Sequence, residues 1–132
     1  MREIKFRGKR VDNGEWMFGD LIHHNEQVLI QPNFETPYEY KEDEDFNVIP
    51  DTVGQYTGLK DKNGVEIYEG DLLEHTVKNH INQMGKTFRN TVEYFKGNVC
   101  GWRLRNKSFH MKITENWIFN QEPKVKGNIH DK

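Results

Sequence analysis

Three carboxylates lie close together in the segment TGLKDKNGVEIYEGDLL (57–73): Glu66, Glu69 and Asp71. Paired acids can hydrolyse glycosides when burial raises the pKa of one of them. The spacing argues otherwise. On an extended strand Glu66 and Asp71 are an odd number of positions apart and face opposite ways, with Glu69 at a bend between them. Neither a base nor a nucleophile stands beside them to complete a site. An aspartate that follows glycine at a strand start usually accepts hydrogen bonds from its own turn. Asp20, in the matching Gly19-Asp20, supports the same structural reading for Asp71.

The same segment offers two lysines between Gly58 and Gly64, but the spacing is not that of a phosphate-binding loop and no Gly-Lys-Ser/Thr follows. With no helix starting there, the backbone N–H groups and dipole that hold phosphate are lacking. A solvated turn fits better: Asp61 and Asn63 suit turn positions, and Gly64 supplies the unusual dihedral. Asn63, Gly64, Gly70 and Asp71 are therefore read as structural turn residues. The six histidines (His23, His24, His75, His80, His110, His130) form no metal-ligand spacing, and Cys100 is the single cysteine. No metal, cofactor or catalytic residue is expected.

A third chemistry is nucleic-acid binding. Between residues 75 and 112 lie Lys78, Lys86, Arg89, Lys96, Arg103, Arg105, Lys107 and Lys112 against one acid, interleaved with Phe88, Tyr94, Phe95, Trp102 and Phe109. Small β-barrels bind single strands with a basic groove and stacking aromatics. Lys96, Arg103, Arg105 and Lys107 are the candidate contacts, Arg103 and Arg105 sharing a face. Against this, a small barrel needs such rings for its core, Trp102 and Tyr94 alternate as core residues do, and the chain carries a net charge of −2.

The elements that must position these residues are mostly strands. At 132 residues, 34% hydrophobic and 12% aromatic, with a mean hydropathy of −0.95, the chain fits one domain or two small lobes with a thin, ring-built core. EIKFRG alternates in period two, Asn13-Gly14 makes a hairpin turn, and EWMFGDLIHH and QVLIQP read as strands, the latter stopped by Pro32. Residues 33–47 are rich in acids and aromatics and read as a long loop or excursion, with room for a short helical turn after Pro37. Extended structure resumes at VIPDTVGQY, and LLEHTVK, TVEYFK, NVCGWRLR, FHMKI, NWIFN and KVKGNI follow as short strands. At most one short helix is expected. No apolar run approaches the roughly 20 residues of a membrane span. The basic N-terminus lacks the apolar segment of a signal peptide, and a lone cysteine suits a reducing cytoplasm.

GKRVDNGEWMFGDLI (8–22) and GLKDKNGVEIYEGDLL (58–73) share a layout of turn, strand, tight bend and strand. Either the chain carries an internal duplication or two hairpins use the same turn grammar. GQYTGLKDKNGVEIYEGDLL (54–73) resembles the signature of the YopX-like proteins, a family of small phage and prophage proteins. MREIKFRGKR, VEYFKGNVCGWRL and the closing VKGNIH resemble other pieces of that family, whose members run a few residues past NIHDK. The resemblance implies a mostly β protein with a small SH3-like barrel in its C-terminal part, and brings no activity and no functional residues.

The expectation is a mainly β chain with an N-terminal lobe at 1–52 that includes the acidic excursion 35–45, and an SH3-like barrel lobe at 53–132. Its role is read as a cytoplasmic, non-enzymatic phage or prophage interaction module, pairing with a protein partner or with itself through strand edges or through its split charge. A single-stranded nucleic-acid binder is the alternative.

Overall fold

A computed structural model describes residues 3–32, 46–77, 85–96, 100–105 and 110–131; of His24, Lys96, Cys100 and His110 it describes the backbone alone. The acidic excursion, including any helical turn after Pro37, lies outside these residues. Among the described residues there are ten strands: β1 (Phe6–Lys9), β2 (Trp16–His24), β3 (Gln27–Gln31), β4 (Gly54–Lys60), β5 (Glu66–Tyr68), β6 (Asp71–Thr76), β7 (Thr87–Lys96), β8 (Cys100–Arg105), β9 (His110–Lys112) and β10 (Lys124–Asn128). A 3-10 turn (Pro50–Thr52) precedes β4, and one helix, α1 (Glu115–Gln121), precedes β10. The strands make two antiparallel sheets, ordered β3-β2-β1-β4-β5 and β10-β6-β7-β8-β9. Contacts divide the chain into two units, Met1–Tyr56 and Thr57–Lys132. Among the described residues no helix is long and apolar enough to cross a membrane.

Each unit has its own core. In the first, Met17, Ile30, Phe46 and Val48 are buried, with Phe6, Leu21 and Val28 packed around them. In the second, Ile67, Leu73, Val92, Leu104, Ile113 and Ile118 are buried. The period-two pattern builds this second core directly, since Val92 on β7 pairs with Leu104 on β8 and both point to the face covered by Ile118 and Trp117 of α1. Trp102 packs against this core, but Tyr94, its cross-strand partner, is 49% exposed and touches it edge-on at 5.2 Å between centroids. Tyr94 is thus a rim residue.

The barrel implied by the resemblance does not emerge from the strand pairing. The second sheet ends at β10 on one side and β9 on the other, an open order among the described residues. NWIFN, expected as a strand, lies in α1 instead. The Thr114 hydroxyl accepts the Trp117 amide at 3.1 Å, Glu115 sits in the first turn, and Glu122 closes the helix in the left-handed region (φ 48°) just before Pro123. Three apolar residues, Trp117, Ile118 and Phe119, are too few to show a period, so the caps decide.

The two similar segments also diverge. After Asn63-Gly64 the chain makes β5, bends at Glu69-Gly70 and enters β6. After Asn13-Gly14 it runs straight through Gly19 as β2, and Asp20 is an exposed strand residue paired with Gln31. The cause is one residue: Phe18 abuts Gly19, whereas Glu69 separates Tyr68 from Gly70. Asp71 is 1% exposed and accepts the Tyr68 amide at 2.7 Å across that bend. Asp20 is therefore no parallel for Asp71.

His75 on β6 is 5% exposed, stacked on Phe88 (5.7 Å) and met edge-on by Trp117 (5.0 Å), its Nδ1 lacking a hydrogen-bond partner among the described residues. Burial lowers its pKa from 6.5. Below pH 6.5 the unfolded chain takes up a proton that the folded chain refuses, so stability falls with pH until the depressed folded pKa is passed and both states are protonated. Denaturation midpoints at about pH 7.5 and about pH 5 should therefore differ more for the wild type than for His75→Leu. Parallel losses in the two proteins would show that His75 is not the group responsible.

Candidate functional site

Strand parity sorts the second sheet into two faces. Opposite the core, β6 presents Leu72, Glu74 and Thr76; β7 presents Thr87, Arg89, Thr91, Glu93 and Phe95; β8 presents Gly101, Arg103 and Arg105. Lys112 on β9 pairs with Arg103, and Lys124 on β10 pairs with Glu74. This face carries Arg89, Arg103, Arg105, Lys112, Lys124 and Lys126 against two carboxylates, Glu74 and Glu93. The excess follows the division of the chain: residues 57–132 hold thirteen Lys and Arg and nine Asp and Glu, a net charge of +4, while residues 1–56 hold six and twelve, a net −6.

Both carboxylates work as anchors for cations. Arg89 donates to Glu74 through Nη2 at 2.7 Å and Nε at 3.2 Å, and Lys124 stands 3.9 Å from the same side chain. The Arg89 hydrogen bond, with the fields of Lys126 and Lys124, holds the Glu74 carboxyl below its usual pKa. Glu93 takes the Arg103 Nε and, at 3.5 Å, Arg105. Arg103 also lies over the Phe95 ring, 3.9 Å from guanidinium carbon to centroid. Opposite Phe95 in the ladder stands Gly101, where, among the described residues, an added Cβ would meet only the Lys112 Cε at 3.8 Å. Among the described residues, a side-chain-sized gap is thus bordered by an aromatic ring, a fixed guanidinium and a lysine.

Arg103 and Arg105 are brought together, as their spacing predicts, but both lean on Glu93. Lys96 is described only by its backbone, paired with Cys100, and Lys107 lies outside the described residues. Lys124 and Lys126, both on this face, were missed; their alternation about Val125 in KVK is the signal that would have found them. The basic N-terminus contributes elsewhere: Arg7 and Lys9 lie over Trp16, Lys5 pairs with Glu3, and Arg10 pairs with Asp12.

The turn residues lie apart from this face. Gly64 (φ 81°) and Gly70 (φ 92°) both occupy the left-handed region. Asp61, 6% exposed, is the organising group: its Oδ1 accepts the Asn63 and Val65 amides at 2.8 and 2.9 Å, and its Oδ2 accepts Val125 on β10 at 3.0 Å. Of the clustered acids, Glu66 accepts the Tyr68 hydroxyl at 3.2 Å, while Asp71 holds the Tyr68 amide. No group of three His, Cys, Asp or Glu able to hold a metal occurs among the described residues.

Among the described residues, strand edges give a partner little to pair with. β5 and β9 have three residues each; β3 is flanked by residues 46–48 through Ile30 N–H to Phe46 and Val48 N–H to Val28; and the Val125 amide of β10 is taken by Asp61.

The crystal structure of protein EF1440 from Enterococcus faecalis is similar over 98% of this chain and 95% of its own, at 23% identity and a TM-score of 0.48. Among curated proteins, none matches. The YopX protein family model matches residues 5–132, nearly the whole length, and the chain belongs to the YopX family.

Proposed function

We propose that this protein is a non-enzymatic binding module, a phage or prophage accessory protein of the cytoplasm, and that its working surface is the cation-rich face of the β10-β6-β7-β8-β9 sheet. The phage setting rests on what the family resemblance implies, and the cytoplasm on the lone Cys100. The observation that carries the binding role is the gathering of six cations and two carboxylates on one solvated sheet face, in a unit of net charge +4. Short or occupied edges turn the reading away from strand addition to a partner or a second copy, and towards this face.

Charge is then the means of attraction, and it must respond to salt. Immobilised heparin should retain the intact chain at 0.1 M salt, where the Debye length is about 10 Å, and release it well before 1 M, where it is about 3 Å. The triple variant Arg105→Glu, Lys112→Glu, Lys126→Glu alters exposed side chains only and should keep its denaturation midpoint while passing through the column. Retention of that variant equal to the wild type would remove the face from the reading.

A further inference from the structure

We infer that the occupant of this face is single-stranded nucleic acid, with its phosphates on Arg89, Arg105, Lys112 and Lys126 and one base in the gap beside Phe95. The inference rests on the proposed binding role and names its ligand.

Three observations select the ligand. The cations are spread over four strands, β7, β8, β9 and β10, which suits a long polyanion better than a small one. Protein interfaces are anchored by buried aromatic and aliphatic side chains and exclude charge from their centre; here the centre is Glu93, Arg103 and Arg105, and among the described residues Phe95 and Leu72 are the only large apolar side chains on the face. Duplex DNA reads poorly on such a surface. Five strands about 4.8 Å apart are wider than the roughly 12 Å major groove, which admits a helix or a two-stranded ribbon.

The gap at Gly101 supplies what a single strand needs and a duplex cannot use. Bases of single strands stack on aromatic rings and on guanidinium planes. Phe95 is 37% exposed, Arg103 is fixed against it by Glu93, and the opposite ladder position has no side chain. At φ 157° the Gly101 backbone itself favours glycine, and among the described residues an added Cβ would meet only the end of Lys112, so the position stays without a side chain. A base entering the gap would lie against Phe95 and Arg103, with Lys112 within reach of its phosphate.

The test is fluorescence anisotropy on the full chain with a labelled strand of about 16 deoxythymidines, the upper end of single-barrel site sizes, beside a duplex of that length and polyglutamate. The single strand should bind best, with log affinity falling against log salt at a slope of about −3, the value for four contacted phosphates. Phe95→Ala should weaken binding about 5- to 150-fold, the worth of one stacked base, and leave the slope unchanged. Phe95→Leu, which keeps apolar bulk but lacks the ring, should do the same should the alanine variant unfold. Arg105→Glu with Lys126→Glu should flatten the slope. Equal binding of the duplex, or unaltered affinity in both Phe95 variants, overturns the inference. Binding of polyglutamate without the strand overturns it but leaves the binding role standing. Binding of none of the three overturns both.

Discussion

Asp61→Ala should lower folding stability by about 3 kcal/mol, within a range of about 2–4. The carboxylate accepts three backbone amides, and hydrogen bonds to a charged group contribute about 1.5–3 kcal/mol each. The simple sum overshoots, because Asn63 and Val65 are exposed and water can replace their acceptor. Val125 is half-buried at a sheet edge and packs on the core, so its amide is the one left unsatisfied. Asp61→Asn separates the contributions. An asparagine keeps one carbonyl oxygen, which can hold the turn amides, while its NH2 would face the Val125 N–H. That variant should lose about 1–2 kcal/mol and show faster hydrogen exchange at Val125. Denaturation midpoints within about 0.5 kcal/mol of the wild type for both variants would mean that the carboxylate does not tie the turn to β10.

That tie marks where the sequence stops being legible. Within the turn, Asp61, Asn63 and Gly64 announce themselves, because Asx turns and positive φ are local chemistry. Nothing local says that the second oxygen reaches Val125, 64 residues along the chain. The strands of the second core were legible for the same reason: alternation puts Val92 and Leu104 inward whatever their partners are. Tyr94 obeys the same alternation yet is exposed, since burial depends on what lies above the strand. The YopX membership was legible in residues 54–73. Sheet closure was not, because it is set by which edges meet. At the candidate site, Arg103 and Arg105 could be paired by spacing, but their shared anchor Glu93 lies on another strand, and the gap beside Phe95 exists only through the β7–β8 register that sets Gly101 against it.

Gly19→Ala should be among the most damaging single changes in the first unit, costing about 2–5 kcal/mol. Gly19 sits within β2 at φ 155°, between β1, where it pairs with Phe6, and the end of β3. A Cβ there would lie 2.0 Å from the carbonyl oxygen of Gln31, 2.8 Å from its carbon and 3.1 Å from the Pro32 Cα. These are backbone atoms, so no side-chain rotation relieves the clash; the end of β3 must move. Its neighbour Ile30 is fully buried and donates its amide to Phe46, within the cluster that also contains Met17 and Val48. Displacing Gln31 therefore disturbs the core of the unit. Backbone strain contributes about 1–3 kcal/mol and overpacking about the same. Gly14→Ala is the matched control. Its φ is 73°, but an added Cβ meets nothing within 4 Å, so only the left-handed dihedral is penalised, by about 1 kcal/mol. Hydrogen exchange at the Ile30 and Val48 amides should quicken strongly in Gly19→Ala and little in Gly14→Ala. Equal effects would mean that dihedral strain alone governs both glycines, and that β3 does not approach β2 as closely as the 2.0 Å contact requires.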